Sequence, residues 1–314
     1  VTGPASGATG ERSGARVPFT DKLSGAVATH GPLCVGIDPH PGLLARWGHE
    51  DDAAGVERFG RDAVAALAGH VAVVKPQVAL FEVHGSGGVR ALERVLADAR
   101  DAGLLTIADA KRGDIGSTMT AYARAWLADT SPLAADAVTL SPYLGVGSLT
   151  PALDLAAETG RGVFVLARTS NAEAATVQSA QSWTALSDPS SPGMREVAQG
   201  VVDACGAANA VRAGEGRSGP VGVVVGATGG TTGRAHGLDL TRLHGPVLVP
   251  GLGAQGATPE DLARAFADGT GPVVPSSSRE ILAAGPDPEA LRDACLALNG
   301  ALRGLALPAG PIGA

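Results

Sequence analysis

A chain of 314 residues can hold one large domain or two ordinary ones, and its formal net charge of −7 argues against a general nucleic-acid binder while leaving room for a local anion site. Aromatic residues make up 3% of the chain, so a core has to be built from Val, Leu, Ile and Ala. Cys34, Cys205 and Cys295 lie far apart without metal-ligand spacing and read as small buried thiols in a reducing compartment.

The first segment, "VTGPASGATGERSGARVP" (1–18), has no apolar h-region and is rich in Gly, Ser and Ala. It reads as a flexible tail ahead of a single domain over 19–314. No window approaches the ~18 continuous apolar residues of a membrane span, so the expectation is a soluble, cytoplasmic protein with no membrane partner.

Past the tail, short apolar runs alternate with helical patterns. The strand candidates in chain order are "PLCVGIDP" (32–39), "VAVVKPQ" (71–77), "LLTIADAKR" (104–112) and "DAVTLSPY" (136–143). They continue with "GVFVLARTS" (162–170), "GPVGVVVGAT" (219–228), "GPVLVPGLG" (245–253) and "GPVVPSSSR" (271–279). Between the second and third, Leu92, Val95, Leu96 and Ala99 follow the spacing of one buried helical stripe. Leu291, Ala294, Cys295, Leu298 and Leu302 do the same in the last helix. The polar stretch between Ser170 and Gly193 is long for a connection and reads as a lid or an insertion, and 210–220 as a surface loop.

Eight strand and helix units in about 290 residues predict a (β/α)8 TIM barrel, whose usual size is around 250 residues. An open doubly wound sheet is the competitor, but "GIDPHPG" after the first strand is not its Gly-rich fingerprint. Polar residues crowd at the carboxyl ends of the runs: Asp38, Lys75, Asp109 with Lys111, Ser141, Arg168, Gln255 and Arg279. In a barrel that end carries the active site, because the βα loops converge there.

The densest charge lies in "IADAKRGDIGSTMTAYA" (107–123). Alternate residues of a strand face one side, so Ile107, Asp109 and Lys111 share a face and aim at the barrel mouth. Asp114 follows within reach of the same place or of a neighbouring subunit. Lys75 ends the adjacent strand, where its ammonium could reach Asp109. A purely structural ion network is the alternative, but buried pairs bring little net stability, and a barrel wanting only stability would carry Val or Ile here.

These residues carry a resemblance. "DAKRGDIGSTMTAYA" resembles the D-x-K-x-x-D signature of the orotidine 5′-phosphate decarboxylase family, and "VVKPQVALFE", "TLSPYLG", "LARTSN", "VVVGAT" and "VPGLGAQG" resemble its other segments, particularly in its longer bacterial branch. The likeness runs from about Phe19 to Leu305. It implies a cofactor-free and metal-free conversion of orotidine 5′-phosphate to uridine 5′-phosphate and carbon dioxide, the last step of pyrimidine (UMP) biosynthesis. Within it, Lys111 is the cation beside C6 and its proton donor, with Asp109 beside the substrate carboxylate. Lys75 orients Asp109 and contacts the ribose, and Asp38 holds a ribose hydroxyl. Asp114, with Thr118 beside it, reaches the other subunit's site, which implies a homodimer with shared sites.

"VPGLGAQG" offers glycine amides to an oxyanion just before a helix starting near "TPED", and Arg279 adds a planar fork after the eighth strand. The resemblance makes Gln255 and Arg279 phosphate ligands, although Arg279 follows "PSSS" where many relatives have "GR". Ser141 matches the position that contacts the pyrimidine amide edge, and equally suits a helix N-cap or turn. The histidines His40, His49, His84, His236 and His244 read as exposed or turn residues. Two rivals are a metal-dependent decarboxylase of a keto sugar-acid phosphate and a non-catalytic nucleotide-binding sensor.

Overall fold

The computed structural model describes residues 16–183, 193–212, 218–228, 234–253, 256–267, 271–305 and 307–308. Gln255, most of the 1–18 segment, and parts of the 170–193 and 210–220 stretches lie outside them. All eight predicted strands are present: β1 (Cys34–Ile37), β2 (Val73–Pro76), β3 (Leu105–Arg112), β4 (Ala137–Leu140), β5 (Gly162–Arg168), β8 (Val221–Val225), β9 (Val247–Pro250) and β10 (Val273–Ser277). They pair in parallel and close into a barrel in the order β1-β10-β9-β8-β5-β4-β3-β2, the expected (β/α)8 arrangement. Two short strands were not foreseen. β6 (Gln181–Trp183) and β7 (Met194–Glu196) form an antiparallel pair inside the insertion after β5.

Strand periodicity sorts the core into two shells. One shell lies between strands and helices, where Val35, Val74, Ala108, Val138, Val165, Val223 and Val249 meet the helical stripes. Helix α3 (Ala53–Leu67), capped by Asp52 through Gly55 N at 2.7 Å, buries Val56, Phe59 and Ala63. It packs on α5 (Gly85–Asp101), whose buried residues include the predicted Leu92, Val95, Leu96 and Ala99. The last helix, α12 (Pro288–Arg303), buries Leu291, Cys295 and Leu302 of its predicted stripe.

The second shell fills the barrel itself. Each of the eight barrel strands contributes one inward residue to it: Cys34, Val73, Ile107, Ala137, Phe164, Val224, Leu248 and Val274. Helix α1 (Phe19–His30) joins this cluster through Phe19, Leu23 and Val27. The Phe19 ring meets Phe164 edge-on at 5.9 Å, and Gly162 is glycine because a Cβ there would sit 2.3 Å from that ring. The amino end of the barrel is thus plugged with apolar side chains, which leaves the carboxyl end for polar ones.

Candidate active site

Two residues further along each strand, the same face changes character. The apolar layer gives way to Gly36, Lys75, Asp109, Thr139, Leu166, Gly226, Pro250 and Ser276. Most of these line a cavity of about 470 Å³ that opens at the carboxyl ends of the strands.

Asp109 is the centre of the cavity's polar wall. Its Oδ2 accepts from Lys75 Nζ at 2.8 Å and from Gln77 Nε2 at 3.2 Å. Its Oδ1 accepts from Lys111 Nζ at 2.6 Å and from Thr139 Oγ1 at 2.9 Å. The side chains of Lys75 and Asp109 are 7% and 10% exposed, whereas that of Lys111 is 44% exposed. Lys75 is therefore a buried counter-ion, and Lys111 is the cation that faces the cavity.

Burial opposes the ionised form of Asp109, but the charges of Lys75 and Lys111 and their hydrogen bonds outweigh it and hold the carboxyl well below the usual range. Burial likewise opposes the charged Lys75, yet Asp109 and Asp38 hold its ammonium above the usual lysine range. Beneath them, burial pushes the Cys34 thiol up to about 12, so it stays neutral. The wall carries an ionised carboxylate between two cations at neutral pH.

The backbone contributes to this placement. Lys111 has φ +49°, a left-handed conformation that costs a side-chain-bearing residue roughly 1–2 kcal/mol. Strain of that size persists where the surroundings over-determine it. Gly113, two residues on, lets the chain pass Ser141, whose carbonyl oxygen would lie 2.4 Å from a Cβ.

On the opposite side lie Gly251, Leu252, Ser277, Ser278 and Arg279. Gly251 and Gly253 have φ +105° and +76°, conformations that favour glycine. The turn is closed by a Leu252–Ala257 bridge and leads to α10 (Pro259–Ala265), which starts at "TPED" as expected and is capped by a box that pairs Thr258 with Asp261. Asp38 Oδ1, Ser277 Oγ and Ser278 Oγ are buried polar atoms without a hydrogen-bond partner among the described residues. Such groups are costly unless something satisfies them.

The remaining wall comes from the insertion after β5. Thr169, Ser170, Asn171 and Gln178 line the cavity. Gln178, from α8 (Ala175–Gln178), accepts from Thr169 N at 2.8 Å and donates to Thr169 Oγ1 at 3.0 Å. Arg168 does not face the cavity. Its buried guanidinium donates to the His236 carbonyl at 2.9 Å and pairs with Glu196 of β7. His236 is a turn histidine, in the short 3-10 segment Arg234–Gly237, but a buried one, because that segment packs against Arg168 and Phe266.

Of the predicted site residues, Asp38, Lys75, Asp109, Lys111 and Arg279 meet around one cavity. Asp114 and Thr118 do not line it. Asp114 Oδ1 accepts from Ile115 N at 2.8 Å at the start of α6 (Gly116–Leu127), and Thr118 is exposed on that helix. Ser141 is also set apart, its N–H bonded to the Arg112 carbonyl at 2.7 Å. Gln255 lies outside the described residues. Sequence reasoning passed over Gln77, Thr139, Gln178 and the serines of β10. Thr139 had a signal, since it shares the inward period of Ala137. Gln77 had one too, since it follows Lys75 at the same inward period and bridges to Asp109. Gln178 had none, because it lies in the insertion and reaches the site by side-chain length.

Fold and site together define a (β/α)8-barrel enzyme with a charged, concave site at the carboxyl ends of its strands. The profile of the orotidine 5′-phosphate decarboxylase / HUMPS family matches residues 31–294. The orotidine 5′-phosphate decarboxylase of Salinispora arenicola is 55% identical over 276 residues, covering 88% of this chain and 94% of that one. The Streptomyces coelicolor enzyme of the same name is 52% identical over 277 residues, covering 88% of this chain and 94% of that one. A crystal structure of a Streptomyces avermitilis protein superposes with a TM-score of 0.83 at 50% identity, covering 94% of this chain and 98% of that one. The Leishmania donovani OMP decarboxylase structure gives 0.67 at 28% identity, covering 91% and 100%. The chain belongs to the orotidine 5′-phosphate decarboxylase / HUMPS family.

Proposed function

We propose that the chain decarboxylates orotidine 5′-phosphate to uridine 5′-phosphate and carbon dioxide, the last step of pyrimidine biosynthesis, by direct electrostatic and proton-transfer chemistry. The observation that carries this reading is the ionised Asp109 held between Lys75 and the cavity-facing Lys111, at 2.8 and 2.6 Å. The substrate phosphate lies against the Gly251–Gly253 turn, the hydroxyls of Ser277 and Ser278 and the Arg279 guanidinium. The ribose meets Asp38 and Lys75. The orotate carboxylate then falls beside Asp109 and Lys111.

The C6–carboxylate bond breaks, carbon dioxide leaves neutral, and the bonding electron pair stays on C6. The Lys111 ammonium stabilises that pair as it develops, with little reorganisation, and then gives C6 its proton. Asp109 cannot relieve its charge by taking a proton, so it raises the energy of the adjacent substrate carboxylate until carbon dioxide departs. Its partners Lys75, Gln77 and Thr139 keep it from turning away. Binding energy from the remote phosphate supports closure of the site around the reacting ring.

The reading includes a homodimer in which Asp114 and Thr118 serve the partner's site. It is supported by their position outside their own cavity and by exposed apolar residues: Ile115 beside Asp114 in the chain, and Tyr143 and Leu144 just after Ser141, whose carbonyl lies against Gly113. A cytoplasmic location fits three buried, unpaired cysteines, and among the described residues no helix is long and apolar enough to cross a membrane. The test is conversion of orotidine 5′-phosphate by purified protein in excess chelator, with uridine 5′-phosphate identified as product. Turnover that survives the chelator removes the keto sugar-acid rival; binding without turnover supports a sensor.

A further inference from the structure

The β3–β4 ladder is in register at Ile107–Ala137 and Ala108–Val138 and resumes only at Arg112–Leu140. Between these pairings β3 runs through Asp109, Ala110 and Lys111, while β4 has Thr139 alone. A bulge of this kind leaves backbone groups of the longer strand without ladder partners. The Lys111 N–H is such a group, and it donates to Thr139 Oγ1 at 2.9 Å. The same hydroxyl donates to Asp109 Oδ1 at 2.9 Å. Thr139 is 1% exposed, so solvent does not compete for either bond.

We propose that Thr139 is a positioning residue for the decarboxylation, its one hydroxyl setting the left-handed backbone of Lys111 and the carboxylate of Asp109 together. The inference rests on the reading of Lys111 and Asp109 as the reacting pair. A hydroxyl is suited to the task because it accepts from the backbone and donates to the carboxylate at the same time. Its β-branched carbon also restricts the directions in which that hydroxyl points. Valine has the same shape and can do neither. Without the hydroxyl, Asp109 keeps Lys75, Gln77 and Lys111, so the ion cluster survives and only its geometry loosens. Both bonds of the hydroxyl are made within the protein, so the loss belongs in kcat and not in substrate binding.

The experiment compares Thr139→Val and Thr139→Ser by steady-state turnover of orotidine 5′-phosphate, uridine 5′-phosphate calorimetry and thermal denaturation. Valine should lower kcat by about 10- to 100-fold, the scale set by a small misplacement of reacting groups, with KM and product affinity little changed. Serine should keep most of kcat although its missing methyl lowers Tm. A merely structural threonine would make activity follow Tm in both. Near-parent kcat in Thr139→Val, in a protein whose parent turns over, overturns the assignment alone. A parent without turnover overturns the proposed function and this assignment with it. If the valine variant does not fold, Thr139→Ser against Thr139→Ala isolates the hydroxyl, and equal kcat in those two is the contrary result.

Discussion

Asp109 has four hydrogen-bond donors and two adjacent cations, and the consequence is a definite pH behaviour. Its folded pKa is depressed, so its contribution to stability is present above about 3.8, its ordinary value, and is lost as pH falls toward the folded value. Lys75 is shifted upward, so its contribution is present below about 10.5 and is lost as pH rises through the folded value. Between those limits the pair is constant. Asp109→Asn should therefore destabilise the protein by about 3–5 kcal/mol near neutrality, because Lys75 is left buried without its counter-charge. That gap should narrow below about pH 3.8, where the carboxyl of the unfolded parent takes up protons that the folded one does not. Denaturant midpoints against pH for both proteins check it, and a gap independent of pH would sink the electrostatic explanation. Lys75, Asp109 and Lys111 were legible in the sequence because a period of two and the adjacency of parallel strands place them together. Gln178 was not, since it comes from the insertion after β5 and meets the site by side-chain reach, which leaves no periodic trace.

The elements around the site divide into a plug below and a strap above. The plug is α1, whose Phe19 fills the amino end of the barrel against Phe164. Phe19→Ala should cost about 3–5 kcal/mol, read as a shift in the denaturation midpoint, and should leave KM unchanged because the cavity is at the other end. The strap is built from residues 169–183 and β7, and Arg168 ties it to the barrel by pairing with Glu196 while holding the His236 carbonyl. Arg168→Met should raise KM more than it lowers kcat, since the residues it steadies line the cavity without reaching the reacting pair. An unchanged KM in a folded variant would count against that role. The eight barrel strands were legible as apolar runs bounded by Gly and Pro. The β6–β7 pair was not, because Gln181, Ser182 and Trp183 are all exposed and so present no buried face for a pattern to mark.

At the scale of the molecule, the barrel brings residues from β1, β2, β3, β4 and β10 to one mouth, which no local stretch of sequence contains. The order of the strands made that convergence readable in advance; in the proposed dimer, the direction of Asp114 is a property of the assembly. Mixing Lys111→Ala and Asp114→Ala chains should restore part of the activity, since one hybrid site regains both residues. No recovery after confirmed chain exchange would contradict shared sites. Lys111 as the proton donor is tested most directly by the fall of orotidine 5′-phosphate absorbance with parent and Lys111→Ala side by side, without added metal or cofactor. The expected result is a loss of at least about 10³-fold in kcat with uridine 5′-phosphate binding still measurable. Turnover by Lys111→Ala near the parent rate would contradict it.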